Sequence, residues 1–306
     1  MLSSADIGRR VVVRRRVPAG FADTIGRLIA ADATALVVRP DRGGDDLTIG
    51  LPDVVAAKPV PPRRRRVGVD ELERIAAAGW PVPGTERLGD WWLRAADGWT
   101  GRGNSALVVG DPGRPLPAAI DAVTSWYRER GLRPACQIPL PSGADVEAYL
   151  ADAGWEASTR VLTMTAPIDR VRRAATAGLP PVTLTSAPSE DWLALYGARK
   201  NGLPTVAHAI LTGGNATFAE VREDGRLVAA ARSALADEHL GLFAIEVVPE
   251  HRRRGLARHA MAALAEANLD HAHTAYLQAE ETNTAARTLY ARLGFTVHHT
   301  YVYRRL

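Results

Sequence analysis

Three consecutive arginines and a glycine, Arg252-Arg253-Arg254-Gly255-Leu256-Ala257, follow an apolar run at residues 242–248 and a Pro249-Glu250-His251 turn. Beyond them residues 254–269 read as a helix, with Leu256, Ala260 and Leu264 on one face. A strand, a tight basic turn and a helix start together make an anion site. The first-turn N–H groups have no intrahelical acceptor, and the helix dipole is positive there. Gly255 permits close backbone approach, Ala257 leaves the space above the turn unfilled, and the arginines add charge-assisted hydrogen bonds. Pyrophosphate is the ligand such a turn suits. The chain has no Gly-rich loop ending in Lys-Ser/Thr and no G-x-G-x-x-G after a strand, which disfavours nucleoside triphosphates and nicotinamide cofactors.

A second group lies downstream. Asn283, Ala286 and Tyr290 have i, i+3 and i+7 spacing, so an amide, a small contact and a phenol share one helical face while Leu289 and Leu293 turn to the core. Arg252-x-x-Gly255-x-Ala257 after an apolar strand resembles the acyl-CoA pyrophosphate motif of the GNAT acetyltransferase superfamily. Asn283-x-x-Ala286-x-x-Leu289-Tyr290-x-x-x-Gly294-Phe295 resembles its later helix motif at the matching distance.

The resemblance implies an acetyl-CoA-dependent N-acetyltransferase that uses acetyl-CoA as acyl donor, needs no metal, and lets a small-molecule amine attack the thioester directly. Acyl transfer expels a thiolate whose conjugate thiol has a pKa of about 8.5, and a phenol with a pKa of about 10 can protonate it as it leaves. The resemblance gives that role to Tyr290; a ring packed in the core is the other reading of the same residue. It also implies that strand 242–248 splays from its neighbour to admit pantetheine. Main-chain groups of Ile245 and Val247 would then line the thioester, and Arg252, Arg253, Arg254, Gly255, Leu256, Ala257 and Asn283 would hold the cofactor. Glu246 is the only carboxylate in that strand and the candidate base, or else an ordinary surface strand residue. Glu280 and His208 are weaker candidates.

These motifs need an α/β frame, and the chain provides two. Residues 67–168 and 182–306 can be superposed at an offset of 140, with Tyr149-Leu150 and Gly154-Trp155 on Leu289-Tyr290 and Gly294-Phe295. In the first copy Pro115 stands where the second has Gly255, and Leu150 where it has Tyr290, so a phosphate-cradling amide and the acid are both missing. The expected fold is α/β: tandem GNAT-like halves with mixed sheets, the first degenerate, preceded over residues 1–62 by a small all-β barrel. Short β-rich runs at 11–13, 25–30, 35–39, 47–51 and 54–57, divided by turn signals, support that barrel. The layout resembles actinobacterial tandem GNAT proteins with a leading barrel of the Src-homology-three-like kind, some described as N-acetylglutamate synthase candidates. An amino acid such as glutamate is therefore one possible acceptor, selected by segment 193–214, where arginines such as Arg199 either pair with an acidic group or belong to a solvated helix face.

Composition narrows the rest. Of 306 residues 46% are apolar and 24% charged, the balance of a chain that buries a core rather than staying disordered. No apolar run is long enough to span a bilayer and the start lacks a signal-peptide stretch, so a cytoplasmic protein without membrane contact is expected. A single cysteine, Cys136, excludes an internal disulfide and a multi-cysteine zinc site. Net charge is +4 with only two lysines, Lys58 and Lys200. The basic run Arg63–Arg66 reads as a solvated linker, with nucleic-acid binding unlikely. The alternative function is a non-catalytic acyl-CoA sensor or an RNA- or protein-binding module.

Overall fold

The computed structural model describes residues 2–60, 66–199 and 202–306. Pro61, Pro62, Arg63 to Arg65, Lys200 and Asn201, and the side chain of Arg199, lie outside the described residues. The chain divides into two compact units, Met1–Arg66 and Val67–Leu306.

The first unit holds β1 (Arg10–Val17), β2 (Gly20–Ala31), β3 (Ala35–Pro40), β4 (Leu47–Gly50) and β5 (Val54–Pro59), in the sheet order β4-β3-β2-β1-β5. Every neighbour is antiparallel. Alternation does the folding: Val11 and Val13 of β1 are buried with Leu28, Leu36, Val38 and Ile49, whereas Arg14 pairs with Asp23 and Arg39 with Asp46 in solvent. Those exposed pairs add little stability. The unit is compatible with a small barrel.

The second unit begins with α1 (Val69–Ala78), β6 (Glu86–Leu88), β7 (Trp91–Leu93), β8 (Ala106–Leu107), α2 (Leu116–Glu129), β9 (Ala135–Leu140), α3 (Ala144–Asp152), β10 (Glu156–Ala157), β11 (Val161–Pro167) and α4 (Ile168–Arg172). There follow β12 (Val182–Thr185), α5 (Glu190–Arg199), α6 (Thr205–Thr212), β13 (Ala216–Glu223), β14 (Arg226–Ala236), β15 (His239–Val247), α7 (Leu256–Glu266), β16 (Thr274–Glu280), α8 (Thr284–Arg292) and β17 (Thr296–Arg305). Leu116 and Leu256 open α2 and α7, Ala144 and Thr284 open α3 and α8, and Glu156 and Thr296 open β10 and β17, each pair 140 residues apart. From α2 and α7 onward the two repeats therefore carry the same succession of helix, strand, helix and strand.

They do not keep separate sheets. One sheet runs β12-β13-β14-β15-β16-β11-β17-β9-β8-β7-β6, with β10 on β17. β11, which ends the first repeat, pairs with β16 of the second from Val161↔Glu280 to Pro167↔Thr274. β17, which ends the second, pairs with β9 of the first from Thr300↔Leu140 to Arg305↔Ala135. Each repeat completes the other's sheet. α7 buries Leu256, Ala260, Met261 and Leu264 against one end of it, and α2 buries Val123, Trp126 and Tyr127 with Cys136 and Ile138 at the other. Full burial of a Leu side chain contributes about 1.5–3 kcal/mol, enough to hold these amphipathic helices in place.

The four central strands meet a single carboxylate. Glu73 on α1, 1% exposed, accepts from Gln278 Nε2 of β16 (3.0 Å), Thr163 Oγ1 of β11 (2.8 Å), His299 Nε2 of β17 (2.9 Å) and Gln137 Nε2 of β9 (2.7 Å). Burial pushes its carboxyl up, but the bonds from His299 and Thr163 and the charge of Arg102 outweigh that and hold it below the usual carboxylate range. Among the described residues no helix is long and apolar enough to cross a membrane.

Candidate active site

The site is an opening in this sheet. Along one edge β15 pairs with β14, but Arg232↔Phe243 is followed by Ala230↔Glu246, so β15 carries an extra residue. Ala244 there adopts a left-handed φ of 49°, a bulge of the kind that bends a strand and re-aims its side chains. Along the other edge β15 pairs in parallel with β16 only through His239↔Thr274, Leu240↔Ala275 and Gly241↔Tyr276. Beyond that point β16 follows β11 and β15 follows β14, leaving a slot between them. Gly241 sits at its apex because the rings of Phe243 and Tyr276 close over it edge to face, 5.9 Å between centroids. A Cβ at Gly241 would lie 2.5 Å from both.

The slot opens into a cavity of about 510 Å³ whose lining includes Ile245, Glu246, Glu280, Asn283, Ala286 and Tyr290. Residues of β15 and α8 almost forty positions apart thus border one cavity, whereas Arg252 to Ala257 are not among its lining residues. The ring of Tyr290 packs edge-on to Phe295 at 6.0 Å within the core, and the residue also borders the cavity at 9% exposure. Asn283 also serves the fold. It is the N-cap of α8, its Oδ1 accepting from the Ala286 N–H at 3.1 Å.

Val247 and the arginine turn follow beyond the part of β15 that lines the cavity. Gly255 is the N-cap of α7 with φ 91°, a conformation that costs other residues strain, and Arg253 is left-handed at φ 62°. The three arginines differ in engagement. Arg254 forks onto Glu223 of β13 at 2.5 and 2.9 Å and lies 2.8 Å from His251 Nδ1; the pairing holds the Glu223 carboxyl below its ordinary range. Arg252 Nε donates to the Val247 carbonyl at 3.2 Å. Arg253 is exposed and has no hydrogen-bond or ion-pair partner among the described residues. Leu256 is buried, so what it offers a ligand is its main chain, and Ala257 is half-buried behind it. His208 lies on an exposed position of α6 and does not border the cavity.

Sequence reasoning missed the opposite wall. Trp80 and Arg102 of the first repeat, and Tyr301, Tyr303 and Arg305 of β17, also line the cavity. A signal existed for the last three, since their spacing of two puts them on one face of a strand. None existed for Arg102, which sits between Gly101 and Gly103 in a loop and reaches the site only through the tertiary fold.

A bulged strand splayed from its parallel neighbour, a glycine-started helix and a phenol on the next helix define the protein as a GNAT-type N-acetyltransferase. Residues 68–304 match the family described as probable histone acetyltransferase Rv0428c, C-terminal, and the chain belongs to that family. It is 32% identical to the probable histone acetyltransferase Rv0428c of Mycobacterium tuberculosis, over 98% of this chain and 95% of the relative. It is 28% identical to the uncharacterized N-acetyltransferase YobR of Bacillus subtilis, over 77% and 98%. The fold is shared with a GCN5-related N-acetyltransferase from Kribbella flavida (TM-score 0.59, 17% identity, 78% of this chain and 95% of that one). It is also shared with a tandem GNAT protein of the clavulanic acid biosynthesis pathway (TM-score 0.50, 17% identity, 78% and 87%).

Proposed function

We propose that the chain transfers the acetyl group of acetyl-CoA to the amine of a small molecule, an amino acid among the candidates, by direct attack and without a covalent enzyme intermediate. The observation that carries this reading is the slot between β15 and β16. It is bordered by Glu246 and Tyr290 and continues along β15 toward the Gly255 helix start. Main-chain groups at Ile245 and Val247 hold the acyl donor along the strand edge that β16 leaves unpaired. The Arg252–Ala257 turn holds its pyrophosphate through first-turn N–H groups and the Arg253 guanidinium. Asn283 fixes the start of α8 and so the position of Tyr290. Glu246 takes the proton of the incoming ammonium, directly or through water, and Tyr290 returns one to the departing sulfur.

A sensor needs only the anion-binding turn; a carboxylate and a phenol on the same cavity support turnover. The Mycobacterium tuberculosis relative's description raises a protein tail as a second acceptor. Purified protein with acetyl-CoA should release free thiol in the presence of an amine acceptor and add an acetyl mass to it. A survey of the amino acids beside a histone H3 tail peptide separates the two acceptor classes. Thiol release with neither, despite acetyl-CoA binding, would contradict the catalytic reading and favour the sensor.

A further inference from the structure

The acyl donor accounts for neither of the two arginines, Arg102 and Arg305, that together with Glu246 and Glu280 line the cavity. The loop between β7 and β8 presents Arg102 to it, and that loop is built to be rigid. Asn104 Oδ1 accepts from the N–H groups of Ala96 (2.9 Å) and Gly98 (3.0 Å), while its Nδ2 donates to the carbonyls of Trp99 (2.8 Å) and Thr100 (2.9 Å). Thr100 is held at φ 66° and its hydroxyl accepts from the Gly103 N–H at 3.1 Å. The Arg102 guanidinium lies over the rings of Trp80 and Phe243, 5.5 and 5.4 Å from their centroids. Its Nε is buried without a hydrogen-bond partner. Arg232 approaches the same two rings, but its donors are spent on the carbonyls of Leu211, Gly79 and Gly213.

No carboxylate among the described residues forms an ion pair with Arg102 or with Arg305, the second arginine of the cavity, which stacks on Tyr303 at 5.1 Å. Glu73, the buried carboxylate that feels the charge of Arg102, already accepts from four side chains. Such a guanidinium, half-buried on the cavity with its Nε out of reach of water and of any protein acceptor, is paired most simply by a ligand anion. The pyrophosphate is not that anion. Arg102 sits beside Phe243, which precedes Glu246 on β15, whereas the arginine turn follows Val247.

We infer that the acceptor is an anionic amine, and that Arg102 with Arg305 binds its carboxylate or phosphate while its amine faces Glu246. The repeat that lost the acyl-CoA turn would thus keep a role as acceptor wall. This rests on the acetyltransferase reading, so the test includes a readout without turnover.

Matched amines differing only in the anion serve as probes: tyrosine against tyramine, phenylalanine against phenethylamine, O-phosphoethanolamine against ethanolamine. Thiol release should be confined to anionic members, and the carboxylate and phosphate arms tell which anion is used. Arg102→Gln should raise the KM of the preferred member roughly ten- to a hundred-fold, the size of one charge-assisted contact, with the KM for acetyl-CoA unchanged. Arg305→Gln should act in the same direction, covering the case in which the Arg102 variant fails to fold. Saturation-transfer NMR of the same pairs on CoA-loaded wild-type protein reads binding alone and stands even if no amine is turned over. Equal signals from charged and uncharged members, or none from any anionic member, overturn the inference.

Discussion

Arg253 and Arg254 are adjacent and do different work. Arg254 is committed to Glu223, which ties the turn to β13, while Arg253 has no such tie among the described residues. Arg253→Ala should therefore raise the KM for acetyl-CoA roughly ten-fold or more, as expected for one charge-assisted phosphate contact, and leave the acceptor KM alone. Glu223→Gln should reproduce whatever Arg254→Ala does; steady-state kinetics on the three variants separate a ligand contact from a scaffold contact. Tyr290→Phe keeps the ring against Phe295 but removes the proton, so kcat should fall while acetyl-CoA affinity survives, and the alkaline limb of the pH–rate profile should vanish. A parental rate with an unchanged profile would leave Tyr290 a core residue only. Burial raises the Cys136 thiol to about 12. It should resist alkylation in the native protein, so a thiol-release assay reads CoA alone. Tyr290 could be placed beside a site from its helical spacing and Glu246 as the lone carboxylate of its strand, and both border the cavity. Arg102 could not, because a lone arginine between glycines has no period and its partners Trp80 and Phe243 come from other elements.

Among the elements, β15 carries the site, and its sequence explains most but not all of its form. The apolar run announces a strand, yet the observed strand starts at His239, three residues before the expected one, and its bulge at Ala244 has no residue signature. The bulge and the splay are properties of strand partners: β14 pairs out of step with β15, and β11 draws β16 away. Gly241 is the one local mark. Gly241→Val should strain the Phe243–Tyr276 contact at the apex, lowering thermal stability by about 1–3 kcal/mol as overpacked sites do. Acetyl-CoA turnover should fall with it. Helices were the easier part, since their apolar stripes and stops fix them locally; α3 begins at the expected Ala144 and α8 one residue after its cap Asn283.

The exchange of β11 and β17 between repeats joins them into one sheet, and Glu73 fastens the four strands at the crossing. No sequence pattern announces this, because either repeat could have kept its own last strand with the same alternation. Removing the carboxylate leaves three buried donors, on Thr163, His299 and Gln137, unmatched, so Glu73→Ala should cost about 3–5 kcal/mol in denaturant unfolding. Because the folded-state value of Glu73 is depressed, its stabilisation is full above the unfolded carboxyl value of about 4.3 and is lost as pH falls through the folded one. The variant should accordingly lose part of the parent's decline in stability below about pH 4. The shared sheet also makes the division of labour between repeats testable. Pro115 and Gly255 occupy equivalent N-caps of α2 and α7, and only Gly255 offers an amide in a left-handed turn. Calorimetric titration with acetyl-CoA is the most direct test. A stoichiometry near one per chain is expected, lost in a folded Gly255→Pro variant and retained in Pro115→Gly. Two equivalent sites, or undiminished binding in Gly255→Pro, would contradict a single donor site in the second repeat.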